Sequence, residues 1–340
     1  MLWVSAGKYG FLFLVVSTIT TIVVLVKDMT RFKDCMTGGP YYGTEIKQLQ
    51  PQHGKKCLKK YYKDILLVIV YHFPKYDSIP HLEGLYKDAF PNIAICGPKK
   101  DRSHSVDIIV KNHGGLLAYN CLGRAVQIYP GYEGYFYIND DMIVNWWNFG
   151  EFDRSKIWQG ALIENGHPLR EGSGENITYK TKWVWYNSSF GLEQCNKTLK
   201  EISTLKPHNW QPKQLYKNLK NNGNGKIYCS KGWSDFFYIP RVHAEAFSTI
   251  CDMFYKNNVF LEIAVTTMLR LLESQENTIK ITGHYLPDIG PSDSKAFWTY
   301  YRTDIKFMHP FKFHVKPFEK MNVALLRNWV IKYSKQFLEC

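Results

Sequence analysis

Two adjacent carboxylates, Asp140 and Asp141, end an apolar run, Gly134-Tyr-Phe-Tyr-Ile-Asn139. Neighbouring carboxylates repel, and a divalent cation relieves this by taking carboxylate and phosphate oxygens into one shell. The other reading is a strand-end turn, where Asn-Asp is common. A second group lies late in the chain. His309 and Lys312 belong to Phe307-Met-His-Pro-Phe-Lys-Phe313, where an imidazole suits a metal and an ammonium suits a phosphate. Each is also an ordinary structural or solvated residue. Glu262 opens an apolar helical run, Leu261 to Leu272. A carboxylate there is either favoured by the helix dipole or available as a general base. Asp235, within Lys231-Gly-Trp-Ser-Asp-Phe-Phe-Tyr238, is the rival base. Trp233 and the aromatics of that stretch form either a ligand-stacking wall or plain core.

Such residues need elements to hold them. Ile65 to Tyr71 reads as a buried strand of aliphatic and β-branched residues. Ser78 to Phe90 has helical spacing, with Ser78 as a cap and Pro80 in the first turn. Asn92–Gly97 is a second strand, His104–Val110 a third, Leu116–Tyr129 a helix and Gly134–Asn139 a further strand. Met142–Phe149 reads as helix-like. This alternation predicts an α/β domain with a parallel sheet covered by helices. In open α/β sheets, ligands bind beyond the carboxyl ends of the strands, where Asp140 and Asp141 fall. Asn120 and Arg124 share one helix face at i and i+4. Lys111-Asn-His-Gly114 precedes that helix and reads as loop. No G-x-G-x-x-G or P-loop follows the first strand, which disfavours dinucleotide and NTPase sites.

Composition narrows the setting. The 340 residues carry net charge +13 and 16% aromatics, so the chain is neither disordered nor low-complexity. Residues 10–26 are uncharged and apolar, about 25 Å as a helix, and predict a signal anchor after a short tail of residues 1–9. Residues 27–63 hold nine Lys/Arg against three acids and read as a basic stem. Residues 64–340 form the remaining, luminal domain. Sequons at Asn176, Asn187 and Asn196 agree with a luminal side. The eight cysteines include no C-x-x-C pair, and Cys195 with Cys229 is a candidate disulfide around that segment. No nucleic-acid-binding signature is present, and the anchor and sequons argue against such a partner.

The chain resembles the GT-A glycosyltransferases from Asp64 to about His314. Asp77 to Pro98, Gly134 to Met142 and His309 to Phe313 look most like STELLO-type proteins, with a looser similarity to exostosin-like enzymes. The resemblance implies a GT-A fold with a mixed, mostly parallel sheet. It implies sugar transfer from a nucleotide diphosphate sugar, UDP- or GDP-linked, to a glycan, glycoprotein or glycolipid. Asn139-Asp140-Asp141 looks like the D-x-D motif, with Asn where the first acid usually stands. Asp141 and His309 then hold a cation, Mn²⁺ or alternatively Mg²⁺. Tyr71, Asn120, Arg124, Asn139, Asp140 and Lys312 then face the nucleotide sugar, and Glu262 or Asp235 is catalytic. The expected setting is a type II membrane protein of the Golgi or ER. A non-catalytic Golgi protein of the same fold, acting in assembly or trafficking, is the alternative.

Overall fold

Strand β1 (Ile65–Val70) is buried along its whole length. A strand covered on both faces must be apolar at every position, which its aliphatic run satisfies. A computed structural model describes this element and residues 58–161, 163–164, 183–205, 211–285, 301–314 and 318–339. β1 pairs in parallel with β2 (Asn92–Gly97) on one side and β4 (Gly134–Asn139) on the other. β3 (Ile108–Ile109) extends the sheet beyond β2. Beyond β4, β9 (Phe236–Pro240) runs antiparallel, then β6 (Trp158–Gly160) and β10 (Ile279–Ile281) follow, giving the order β10-β6-β9-β4-β1-β2-β3. The sheet is therefore mixed and mostly parallel, as the alternation predicts.

Helices cover both faces. Leu66, Val68, Val70, Tyr135 and Tyr137 share one core with α2 (Asn120–Ile128), α3 (Leu192–Ser203), α4 (Pro212–Asn222), α5 (Arg241–Lys256) and α6 (Leu261–Leu272). On the other face an aromatic cluster joins Phe90, Phe136, Phe149 and Trp158. Helix α1 (Ile79–Tyr86) adds Tyr86 to it through Phe90. Disulfides tie Cys96 to Cys121 and the candidate pair, Cys195 to Cys229.

Two local expectations change. Met142–Phe149 is not a helix: β5 (Ile143–Val144) is followed by a 3₁₀ turn at Trp146–Phe149. Ile143 and Val144 are taken by a second sheet, in which β5 pairs with β12 (Phe307–His309), itself parallel to β11 (His284–Tyr285), while β7 (Ile163–Glu164) and β8 (Lys231–Gly232) form a separate antiparallel pair. Ser78 precedes α1 but makes no capping bond, because its hydroxyl lies 2.9 Å from that of Tyr71.

The described residues all belong to one compact unit, Lys56–Cys340. The expected tail, anchor and most of the stem lie outside the described residues. Among the described residues no helix is long and apolar enough to cross a membrane.

Candidate active site

Three separate segments meet at the carboxyl end of β4. Parallel pairing sets Val70 beside Asn139, so the ends of β1 and β4 coincide. Antiparallel pairing brings the start of β9 to the same place, and the Asn139 amide donates to the Asp235 carbonyl at 3.0 Å. The small sheet supplies the third segment. Because β12 pairs with β5, His309 arrives beside Asp141, and the Phe311 amide donates to the Asp141 carbonyl. β11 carries Tyr285 next to His309 in register.

Charge is concentrated here. His309 Nε2 lies 3.3 Å from Asp141 Oδ1 and 3.4 Å from Asp235 Oδ1. Lys312 Nζ pairs with Asp141 Oδ2. His314 Nε2 lies 3.9 Å from Asp140 Oδ2. Burial opposes a charge on Asp141, but His309, Lys312 and His72 outweigh it and hold its carboxyl well below the usual range. Burial likewise opposes protonation of His309, yet Asp235 and Asp141 push it up to about 9. Asp140 moves the other way, raised by burial and then by the charge of Asp141.

Asn139 knits the cluster together. Its Oδ1 accepts from Tyr137 at 2.8 Å and from His72 Nε2 at 3.1 Å, while its Nδ2 donates to Asp235 Oδ1 at 3.0 Å. An amide oxygen can only accept, so His72 carries its proton on Nε2. Tyr285 donates to Asp235 Oδ2 at 2.9 Å and stacks on Trp233 with ring centres 3.6 Å apart. Glu262, in the first turn of α6, is pushed up to about 7 by burial and by Asp235, against the pull of Lys231 and His309.

A cleft of about 300 Å³ opens beside the cluster, lined by residues that include His72, Phe73, Lys99, Lys111, Asn112 and His113. His72 belongs to both cleft and cluster, so the two share a wall. Asn112 is buried with its Nδ2 on the Tyr71 carbonyl, and its Oδ1 has no partner. The backbone turns sharply at the rim, with positive φ at His113, Gly114 and Gly115.

The donor chemistry fits a hard divalent cation. Asp141 Oδ1 is buried and no donor reaches it in hydrogen-bond geometry, although His309 Nε2 is near. Carboxylate oxygen with imidazole nitrogen is a suitable set. Among the described residues no three His, Cys, Asp or Glu side chains are gathered closely enough to hold an ion unaided. Asp141 and His309 would therefore need phosphate and water oxygens to complete the shell.

Comparison with known proteins bears on the class of reaction. No family model matches the chain. "Probable glycosyltransferase STELLO2" of Arabidopsis thaliana is 19% identical over 252 residues, 74% of this chain and 30% of the relative. "Probable glycosyltransferase STELLO1" of the same plant is 24% identical over 226 residues, 66% of this chain and 26% of the relative. The chain is similar to the STELLO-type glycosyltransferases. The match spans less than a third of the length of either STELLO relative.

Of the residues singled out in the sequence, Asn139, Asp140, Asp141, Asp235, His309 and Lys312 meet in one cluster, and Glu262 feels its charges. Tyr71 is buried at the edge of this region, its hydroxyl on Ser78. Asn120 and Arg124 are turned elsewhere. Asn120 donates to Asp252 of α5 at 3.2 Å, and Arg124 donates to Gln127 on its own helix at 2.6 Å. Asn187 is exposed on a 3₁₀ turn. Asn196 is half-buried on α3 with Cys229 Sγ 3.4 Å from its Oδ1, which leaves a glycan less room. Asn176 lies outside the described residues. Sequence reasoning missed His72, Tyr285 and His314. His72 had a signal, since it follows a buried strand by two residues; Tyr285 had none.

Proposed function

We propose that the chain transfers a sugar from a nucleotide diphosphate sugar to a glycan, glycoprotein or glycolipid, within a GT-A fold and with Mn²⁺ or Mg²⁺. The observation that carries this reading is the meeting of Asp141, His309 and Lys312 beside a cleft with basic walls, at the carboxyl ends of β1 and β4. The similarity to the STELLO-type proteins supports it.

The roles follow from position and charge. The cleft receives the nucleoside, with Phe73 as an apolar face and Lys99 and Lys111 as cations near its mouth. Asp141 and His309 hold the cation, which when bound stabilises the charge gathering on the departing diphosphate. Lys312 adds an ammonium to the same phosphates once they draw it from Asp141. Glu262 takes the acceptor hydroxyl's proton. A carboxyl with pKa about 7 is basic enough to accept a proton and still ionised for much of the time. Trp233, stacked on Tyr285, offers a ring face to the acceptor sugar. Residues 10–26 serve as anchor and the chain up to Lys55 as stem, since the expected stem's last residues belong to the folded domain, where Leu58 and Tyr62 are buried; the domain lies in the lumen of the Golgi or ER.

The test is a donor screen. The purified chain with Mn²⁺ is expected to release nucleoside diphosphate from one class of UDP- or GDP-sugar. Asp141→Asn lowers that rate at least about 100-fold, the scale on which transition-state charge stabilisation is lost. A folded chain that neither binds nor hydrolyses any nucleotide sugar overturns the reading and favours the non-catalytic role.

A further inference from the structure

The cluster has one feature that its motif does not explain. Where the D-x-D pattern starts with an acid, this chain has Asn139, fully buried and with both ends of its amide engaged. Its orientation is fixed by chemistry. Oδ1 faces two donors, Tyr137 and His72, and Nδ2 faces only an acceptor, Asp235. An aspartate in its place would keep the two acceptor contacts but lose the donor. It would then set a second carboxylate 3.0 Å from Asp235.

Asp235 itself is surrounded by donors. Asn139 Nδ2 and His309 Nε2 approach Oδ1, and Tyr285 approaches Oδ2. Asn139 and Tyr285 fix the carboxylate in place, and the imidazole faces its Oδ1. The same imidazole also faces Asp141, the two contacts being 3.4 Å and 3.3 Å respectively. Two carboxylates thus approach one imidazole, from neighbouring antiparallel strands instead of from one motif.

We propose that Asp235 supplies the acidic charge missing from the first motif position, and that Asn139 is the positioning residue whose amide holds it there. Asp235 and Asp141 then make up the carboxylate pair of the cation site, Asp235 reaching the ion through one water. This inference rests on the function proposed above. It gives Asp235 a place around the cation, beside the base role proposed for Glu262.

A carboxylate swap tests it, with Mn²⁺ affinity of the full-length chain read by electron paramagnetic resonance in the presence of UDP or GDP. Asp235→Asn is expected to weaken Mn²⁺ binding at least about 10-fold, and Asn139→Ala by about 10- to 100-fold, the range for residues that orient a ligand. The double variant Asn139→Asp with Asp235→Asn returns the acid to the motif position and keeps an amide opposite it. It is expected to recover affinity to within about threefold of the parent, which a merely structural role would not produce. Unchanged affinity in Asp235→Asn overturns the inference while leaving the proposed function standing. So does failure of the double variant to recover while its melting temperature matches the parent. A parent chain that binds no Mn²⁺ with either nucleotide overturns the proposed function itself, and this inference with it.

Discussion

Glu262 and Asp235 are both acidic and close to the same imidazole, yet their surroundings divide them. Asp235 has donors on both oxygens, whereas Glu262 is raised to about 7 by burial and by the charge of Asp235. The base must be ionised, so turnover is expected to rise with pH up to about 7 and then level off until another group titrates. Glu262→Gln is expected to remove that limb of the profile and to lower kcat by about 10²- to 10⁴-fold, with KM within about threefold. A variant that keeps the wild-type pH limb would assign it to another group. Much of this was legible in the sequence. Asp140 and Asp141 announce themselves as charges at the end of an apolar strand, and Glu262 as a carboxylate opening an apolar helix. The partnership of Asn139 with Asp235 was not legible, because 96 residues separate them and only strand pairing joins them.

The elements hold these residues by close approach. Gly115 sits at φ +100°, and a Cβ there would come within 2.5 Å of His72 Nδ1. Gly115→Ala is therefore doubly opposed, by backbone and by contact, and is expected to destabilise the fold by about 1–3 kcal/mol in urea titration. It also pushes His72 off Asn139, so its loss of activity should exceed its loss of folded protein. The Cys96–Cys121 bridge pins the end of β2 to α2 across a sequence separation of 25. Loop-closure entropy puts its contribution at about 3.5 kcal/mol. Replacing both cysteines by serine is expected to lower the denaturation midpoint accordingly, and calorimetry would check it. Elements defined by unbroken apolar runs, β1 and α6 above all, could be read directly. Met142–Phe149 could not, since its conformation is set by β12 and by indole bonds from Trp146 to the Leu85 carbonyl and Trp147 to the Thr303 carbonyl. Sequence periodicity carries no record of such distant partners.

For the whole molecule, the cluster links stability to pH. His309 holds its proton more tightly when folded, moving from 6.5 to about 9. Its contribution is complete below about 6.5 and is lost as pH rises through about 9. Asp141 is shifted down, so its contribution is lost only when pH falls below the ordinary carboxylate range. With cation removed by chelator, the melting temperature is expected to fall between pH 7 and pH 9.5, and His309→Gln to flatten that fall. The C-terminal segment braces the same cluster. Asn322 of α7 (Phe318–Leu325) donates to the Lys312 carbonyl at 2.7 Å, and Phe337 stacks on Trp147. Truncation after residue 314 is expected to yield an aggregation-prone product with no nucleotide binding, as judged by size-exclusion chromatography and ligand titration.

Lys312 stands 171 residues after Asp141, the carboxylate it neutralises. At about 5–20 residues per second, a ribosome needs roughly 10–35 s to travel that distance. Through that interval the nascent chain already has the strand bearing both carboxylates but not the cations that make their burial tolerable. The emerging domain must wait, half-assembled and recognisable to chaperones, until its last stretch is made.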